Sequence, residues 1–311
     1  GSVMGRDSVG ALMGLNWGTA SNSYAIGNMS SGYKNVGGLA GGTLGPMTNV
    51  WATSNVSNTS GGIGFVGGLV GNSGTGGTIS NAYATGTVSG TGPNVGGLVG
   101  FNSVSTISNA YATGSVSGIN FVGGLVGSGN GAVSNSYATG SVSGTGQYVG
   151  GLVGYNYIGR TISNAYATGS VNGAGAVGGL VGHNAGTVSN SYWNSSANAS
   201  GIGAGTIAGA TGRTSAEMKL MASFTGFDIA NTGGSGATWR IYEGNTTPWL
   251  MWWLKPLTVT ANSDSKTYSG APYSGGNGVT YSVASPNPAL SGTLAYGGTS
   301  QSAVNAGSYT I

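Results

Sequence analysis

Five carboxylates and one imidazole are the side chains of this 311-residue chain best suited to acid–base work near neutral pH, so their placement limits its chemistry. The acids are Asp7, Glu217, Asp228, Glu243 and Asp264, and the histidine is His183. Between Ser8 and Ser215 there is no Asp or Glu. Acid–base cleavage of a polysaccharide needs paired carboxylates and a calcium site needs several; the first two thirds of the chain have the means for neither. A pair assembled from Asp228 and Glu243 is the one glycosidase-type arrangement left open, against the simpler reading that both cap backbone or meet solvent. His183 has no acid near it in sequence to orient it as a base, and reads as an outward substitution. Gly203-Ala204-Gly205 lacks the Gly-Lys-Ser/Thr continuation of a phosphate loop. There is no cysteine, hence no disulfide and no thiolate metal site. Neither a cofactor nor a metal is expected.

Rings and hydroxyls are what the repeat region does offer. A block reading V-G-G-L-V-G recurs, and the residue before it is Phe65, Phe121 or Tyr148 in three copies and Ser8, Asn35, Asn94 or Ala176 in the others. Just after the block come Phe101, Tyr155 and Tyr157. Exposed rings at such corners can stack on sugars or pack on a neighbouring chain, and these six are the candidate binding residues. A second outward column, Thr85-Gly86-Thr87, Thr113-Gly114-Ser115, Thr139-Gly140-Ser141 and Thr168-Gly169-Ser170, resembles the threonine arrays of ice-binding solenoids if its hydroxyls lie on a flat sheet. Thr also simply suits strands.

The elements that position these groups follow from the period. The block occupies Val66 to Gly71, Val95 to Gly100, Val122 to Gly127, Val149 to Gly154 and Val177 to Gly182, with looser copies at Val9 to Gly14 and Val36 to Gly41. Its leucines, Leu12, Leu39, Leu69, Leu98, Leu125, Leu152 and Leu180, are spaced by 27, 30, 29, 27, 27 and 28 residues. About ten residues later each copy reads S-N-(A/S)-Y-A-T-G-(S/T)-V. A period of this size marks a solenoid, whose units bury their apolar side only by stacking. Short strands with polar corners, and no helical stripe, predict an all-β, right-handed parallel β-helix of about seven coils, three strands to a coil. At the spacing of β-strands the stack would rise about 34 Å.

Stacked coils place like side chains in columns. Tyr24, Tyr83, Tyr111, Tyr137, Tyr166 and Tyr192 form one, with Trp51 on the missing rung. Asn22, Asn49, Asn81, Asn109, Asn135, Asn164 and Asn190 form another, whose amides can bond to each other and to the turn backbone. The inner column is leucine. Val95 and Leu98 have opposite parity, so both are buried only if Gly96-Gly97 makes a bulge or corner. The length-variable segments, such as Asn72 to Thr78 and Asn156 to Arg160, fall at the corner opposite the Phe65, Phe121 and Tyr148 column.

After Tyr192 the period stops. Thr214-Ser215-Ala216-Glu217 is a capping-box pattern, with Met218, Met221 and Phe224 on one face of an expected short helix of about ten residues. Trp239 to Glu243 and Trp249 to Trp253 read as a hairpin around Gly244-Asn245. This aromatic segment is expected to close the open end of the rod. From Leu257 a small antiparallel β module begins. The domain reading is therefore 1–199 repeat, 200–256 non-repeating cover and 257–311 partial module. Eight Lys and Arg, for a net charge of +3, are too dispersed for a nucleic-acid footprint. No apolar run is long enough to span a membrane. Gly1 to Met13 lacks the pattern of a signal peptide, and the chain reads as a segment of something longer.

The recurring Gly97-Leu98-Val99-Gly100 type of block, followed by S-N-A-Y-A-T-G, resembles the GLUG repeat of bacterial surface exoproteins over Ser8 to about Trp193. Lys266-Thr267-Tyr268-Ser269-Gly270 and Gly307-Ser308-Tyr309-Thr310-Ile311 are similar to the bacterial Ig-like module with a K-T-Y-D-G hallmark, Ser269 standing where that module has aspartate. Together the two resemble filamentous-haemagglutinin-like adhesins. The resemblance implies a non-enzymatic structural or adhesive segment, extracellular or on the bacterial cell surface. It also implies an outer-membrane secretion partner, and host-cell or matrix glycans, proteins or neighbouring copies as targets. A carbohydrate- or ice-binding solenoid is the second reading, and a polysaccharide-degrading β-helix the third.

Overall fold

The computed structural model describes residues 2–31, 34–59, 64–232, 235–254, 258–267, 269–274, 276–281, 298–305 and 307–309. They form two compact units, Gly1–Trp253 and Leu254–Ile311.

One coil of the first unit contains four short strands rather than three, for example Asn94–Gly96, Val99–Asn102, Ile107–Ala112 and Val116–Gly118. The extra division lies inside the V-G-G-L-V block, where Gly97 and Leu98 turn a corner. A Cβ on Gly97 would lie 2.0 Å from the carbonyl oxygen of Gly124, so the next coil approaches only because the residue is glycine. The same corner answers the parity problem. Val95 enters a stripe of valines, Leu98 and Val99 enter a larger core, and none of the three has exposed surface.

Each strand pairs in parallel with its counterpart one coil away. Val95 lies between Val66 and Val122, Tyr111 between Tyr83 and Tyr137, and Val116 between Val88 and Val142. Repetition builds four parallel sheets. The first runs from Val9–Gly10 to Ala176–Gly178, the second from Met13–Asn16 to Ile202–Gly205, the third from Ala20–Ala25 to Ala210–Arg213 and the fourth from Ser2–Gly5 to Val171–Gly173. The unit is thus a parallel β-solenoid of about seven turns.

The asparagine column has a backbone cause. All seven residues, Asn22 to Asn190, are left-handed, with φ between 43° and 54°, a region asparagine tolerates better than most residues. The resulting bulge lets Ser108 and Asn109 both face outward while Ile107, Ala110 and Ala112 are buried inside. Amide-to-amide bonds join Asn49 to Asn22, Asn81 to Asn49, Asn109 to Asn81 and Asn190 to Asn164 at 3.1 to 3.3 Å. The rings from Tyr24 through Trp51, Tyr83, Tyr111 and Tyr137 to Tyr166 stack with centroids 4.3 to 5.5 Å apart and planes within 7°. Leu39, Leu69, Leu98, Leu125, Leu152 and Leu180 are wholly buried, whereas Leu12 is 54% exposed.

Past residue 199 the stack continues. Ile202–Gly205 adds a rung to the second sheet and Ala210–Arg213 adds one to the third. The aromatic segment that follows covers a flank of the rod, not its end. Trp252 meets Tyr83, Trp253 meets Tyr111, Trp239 meets Tyr137 and Tyr166, and Phe224 meets Tyr166 and Tyr192. Stacked tyrosines expose a ridge of ring edges, to which tilted rings are the complementary partner. The reciprocal Thr214–Glu217 capping bonds form, at 2.7 and 3.2 Å between backbone N–H and side chain. The expected helix does not follow. Leu220 is extended, with φ −109° and ψ 127°, and divides the segment into single 3₁₀ turns at Glu217–Lys219 and Met221–Ser223. The hairpin reduces to Trp239–Arg240 against Trp249–Leu250, because Met251–Trp253 is also a 3₁₀ turn.

In the second unit Val259–Ala261 pairs antiparallel with Val279–Tyr281. Asp264 accepts a hydrogen bond from the Tyr273 hydroxyl at 2.6 Å. Lys255, Pro256, Leu257, Tyr268, Thr310 and Ile311 lie outside the described residues.

Candidate functional site

The two groups of rings singled out in the sequence meet at one corner. The first-sheet column runs Phe65, Asn94, Phe121, Tyr148, Ala176. The adjacent second-sheet column runs Asn72, Phe101, Ser128, Tyr155, His183. The first-sheet positions point outward because their neighbours Val66, Val95, Val122 and Val149 point in and are fully buried.

Contacts cross from each first-sheet residue to the second-sheet residue of the next coil. Phe65 meets Phe101 at 4.8 Å between centroids, Phe121 meets Tyr155 at 5.9 Å and Tyr148 meets His183 at 4.8 Å. Asn94 and Ser128 occupy the equivalent place on the intervening rung and are hydrogen-bonded to each other. This polar pair divides the corner into a Phe65–Phe101 pair and a larger cluster. In the cluster Tyr148 lies 5.7 Å from Phe121 and 5.3 Å from Tyr155, and the His183 imidazole stacks on Tyr155 at 4.8 Å and 16°. Tyr157 closes edge-on against Tyr155 at 4.3 Å.

Two sequence readings change here. The variable loop from Asn156 to Arg160 does not stand apart from the aromatic column, because Tyr157 belongs to the cluster and Ile158, 81% exposed, projects beside it in sequence. His183 is not a bare surface substitution. It is half-buried between Tyr148 and Tyr155, and its buried Nδ1 has no hydrogen-bond partner among the described residues. Desolvation, and next the neighbouring phenols of Tyr157 and Tyr148, push the Tyr155 hydroxyl above its ordinary range. The cluster therefore presents half-buried rings and neutral hydroxyls. That suits stacking and hydrogen bonding rather than ion pairing.

The other candidates land elsewhere. Asp228 accepts from the Thr238 backbone N–H and hydroxyl at 2.8 and 2.9 Å, and Glu243 accepts from the Met221 N–H at 3.1 Å. Each carboxylate thus holds a different turn of the cover. Thr87, Ser115, Ser141 and Ser170 do face solvent along the fourth sheet. Their hydroxyls are partly engaged, Ser115 with Ser141 at 3.1 Å and Thr87 with Asn55 at 2.9 Å.

One structural column escaped the sequence reading. Asn102, Asn156 and Asn184 end strands of the second sheet with buried amides. Asn102 brackets Ser105, bonding its N–H and carbonyl at 3.0 and 2.9 Å, and Asn156 donates to Asn184 at 2.8 Å. The recurring Asn two residues after the block's last glycine was its signal.

The GLUG motif matches residues 66–89, 91–117 and 145–172. Each match spans about one turn of the solenoid, so a family motif and a structural coil coincide. No curated protein matches the chain.

Proposed function

From a rod of GLUG repeats, we propose that the chain is a non-enzymatic structural and adhesive segment of a bacterial cell-surface or secreted exoprotein of the filamentous-haemagglutinin-like kind. The single observation that carries this reading is the aromatic corner. Phe121, Tyr148, Tyr155, Tyr157 and His183 gather on the outside of a rigid stack, where rings held in place lose little entropy on binding. Such a surface suits the apolar face of a sugar ring or an aromatic-bearing protein segment. Charge has little part, since Ser8 to Ser215 has no acid and few bases. The remaining turns act as a spacer that holds the corner out. Residues 257–311 are read as part of an Ig-like module, and export would need an outer-membrane partner.

Against an enzyme stand the separate structural duties of Asp228 and Glu243. The test is a screen of the immobilised chain against glycans and matrix proteins, run beside polysaccharide hydrolase assays. Saturable binding without turnover is expected. Turnover that disappears in Asp228→Asn/Glu243→Gln would overturn the reading.

A further inference from the structure

The last coils of the solenoid are filled on the inside and stepped on the outside. Inside, Gly201 takes the place of the next leucine, accepting the N–H groups of Leu180 and Val181 at 2.9 Å. The indole of Trp193 fills the space of the missing side chain, and its Nε1 donates to Asn198 O at 3.1 Å. Outside, both columns of the aromatic corner change from rings to methyl groups at the same level. Tyr148 is followed by Ala176 in the first sheet, and His183 by Ala204 in the second. Those two alanines stand on the last strands of their sheets among the described residues, and each is half-buried. The cross-coil pairing that sets Phe121 on Tyr155 and Tyr148 on His183 brings Ala176 beside Ala204: a Cβ on Gly203 would lie 2.7 Å from Ala176 C, as one on Gly182 would lie 2.9 Å from Tyr148 C.

The step leaves a ledge whose wall is a ring and whose floor is two methyl groups. One face of the His183 imidazole lies on Tyr155, at 4.8 Å and 16°. Its other face is therefore directed at the rung of Ala204, about 4.8 Å further along the stack. There a methyl group stands where the preceding rungs carry whole rings, so a ring-sized space remains over the imidazole. Tyr148 borders it, 4.8 Å from His183 between centroids. The imidazole also carries an unused polar atom. Its buried Nδ1 has no hydrogen-bond partner among the described residues, so turning the ring over breaks no bond and brings a nitrogen to either edge.

We propose that this ledge is a subsite for one neutral hexopyranose ring, stacked by an apolar face on the imidazole of His183 and seated over Ala176 and Ala204. The proposal rests on the adhesive reading of the aromatic corner and names the class of ligand it takes. A pyranose has an apolar face of C–H groups and a rim of hydroxyls, and the ledge offers both complements: an imidazole face with two methyl groups, and a ring nitrogen that needs a partner. A hydrocarbon ring would leave that nitrogen unpaired. Tyr148, Ala176 and Ala204 contribute no charged group, and no carboxylate lies between Ser8 and Ser215 to hold an amino sugar.

His183 is the only histidine, so its imidazole C–H resonances report on the ledge without further assignment. The full chain is titrated with the methyl glycosides of galactose, glucose and mannose and followed by proton NMR. At least one should shift those resonances saturably, with saturation transfer strongest to the C–H groups of its apolar face. Ala204→Phe fills the ledge with a ring at the position Phe101 and Tyr155 hold on other rungs, so it should fold, and it should weaken that glycoside about tenfold. Ala204→Ser keeps the ledge open and should bind within about twofold of the parent. No saturable shift with any of the three, or equal affinity in a folded Ala204→Phe, would overturn the proposal. Attachment to cells or glycans separates it from the wider reading. Loss in Phe121→Ser/Tyr148→Ser with full attachment by Ala204→Phe would remove the ledge and leave the adhesive corner, whereas full attachment by both variants would remove the corner as well.

Discussion

The indole of Trp193 fills the space above Gly201 that a side chain would need, a Cβ there falling 2.3 Å from the ring. The leucine column thus ends on a glycine so that a tryptophan can close it. Gly201→Ala should destabilise the rod by about 1 to 3 kcal/mol through overpacking. Trp193→Ala should do so by about 3 to 5 kcal/mol through the opened core. Urea unfolding measures both, and a Gly201→Ala midpoint equal to that of the parent chain would remove Trp193 from the role of plug.

Mid-stack, Leu125 is wholly buried and its N–H and carbonyl tie three consecutive coils. Leu125→Ala should cost about 2 to 5 kcal/mol. Nearest-neighbour coupling should spread the loss of hydrogen-exchange protection to the coils of Leu98 and Leu152. Loss confined to one coil would contradict the coupling.

Alkaline pH offers an independent check on the flank. Burial pushes the phenols of Tyr83, Tyr111, Tyr137, Tyr166 and Tyr192 above the ordinary tyrosine range. Their folded pKa values exceed the unfolded value, so their stabilisation is whole below about pH 10 and is lost as pH rises through the folded values. The urea midpoint should fall above about pH 10, and part of the phenolate absorbance should appear only with unfolding. If all 16 tyrosines titrated in one step with the sheet signal intact, the flank would not be packed.

Legibility differed from one feature to the next for physical reasons. Column membership was readable because in-register parallel pairing repeats residue type at a fixed spacing, as with Tyr83, Tyr111 and Tyr137. Strand number was not, since the corner at Gly97-Leu98 depends on the close approach of Gly124 from the next coil. Met218, Met221 and Phe224 have helical spacing, but Leu220 is extended and Glu243 takes the Met221 N–H, so tertiary contacts outweigh the local pattern. The tryptophans announced a cover without saying what they cover. Their target, the ridge of tyrosine edges, is assembled from several coils. The aromatic corner was half legible in the same way. Phe121 and Tyr155 each stood out, while their contact at 5.9 Å joins different sheets of successive coils.

The central claim, that the aromatic corner anchors the rod, is tested most directly by attachment of Phe121→Ser/Tyr148→Ser to the cells or glycans that bind the parent chain. Both residues are half-buried on the outside of the stack, and the valines beside them hold the core. The β-sheet circular dichroism should be unchanged while affinity falls about tenfold or more, as when ring anchors worth about 1 kcal/mol or more each are removed. Undiminished attachment by a folded double variant would contradict the account and leave this segment as a spacer.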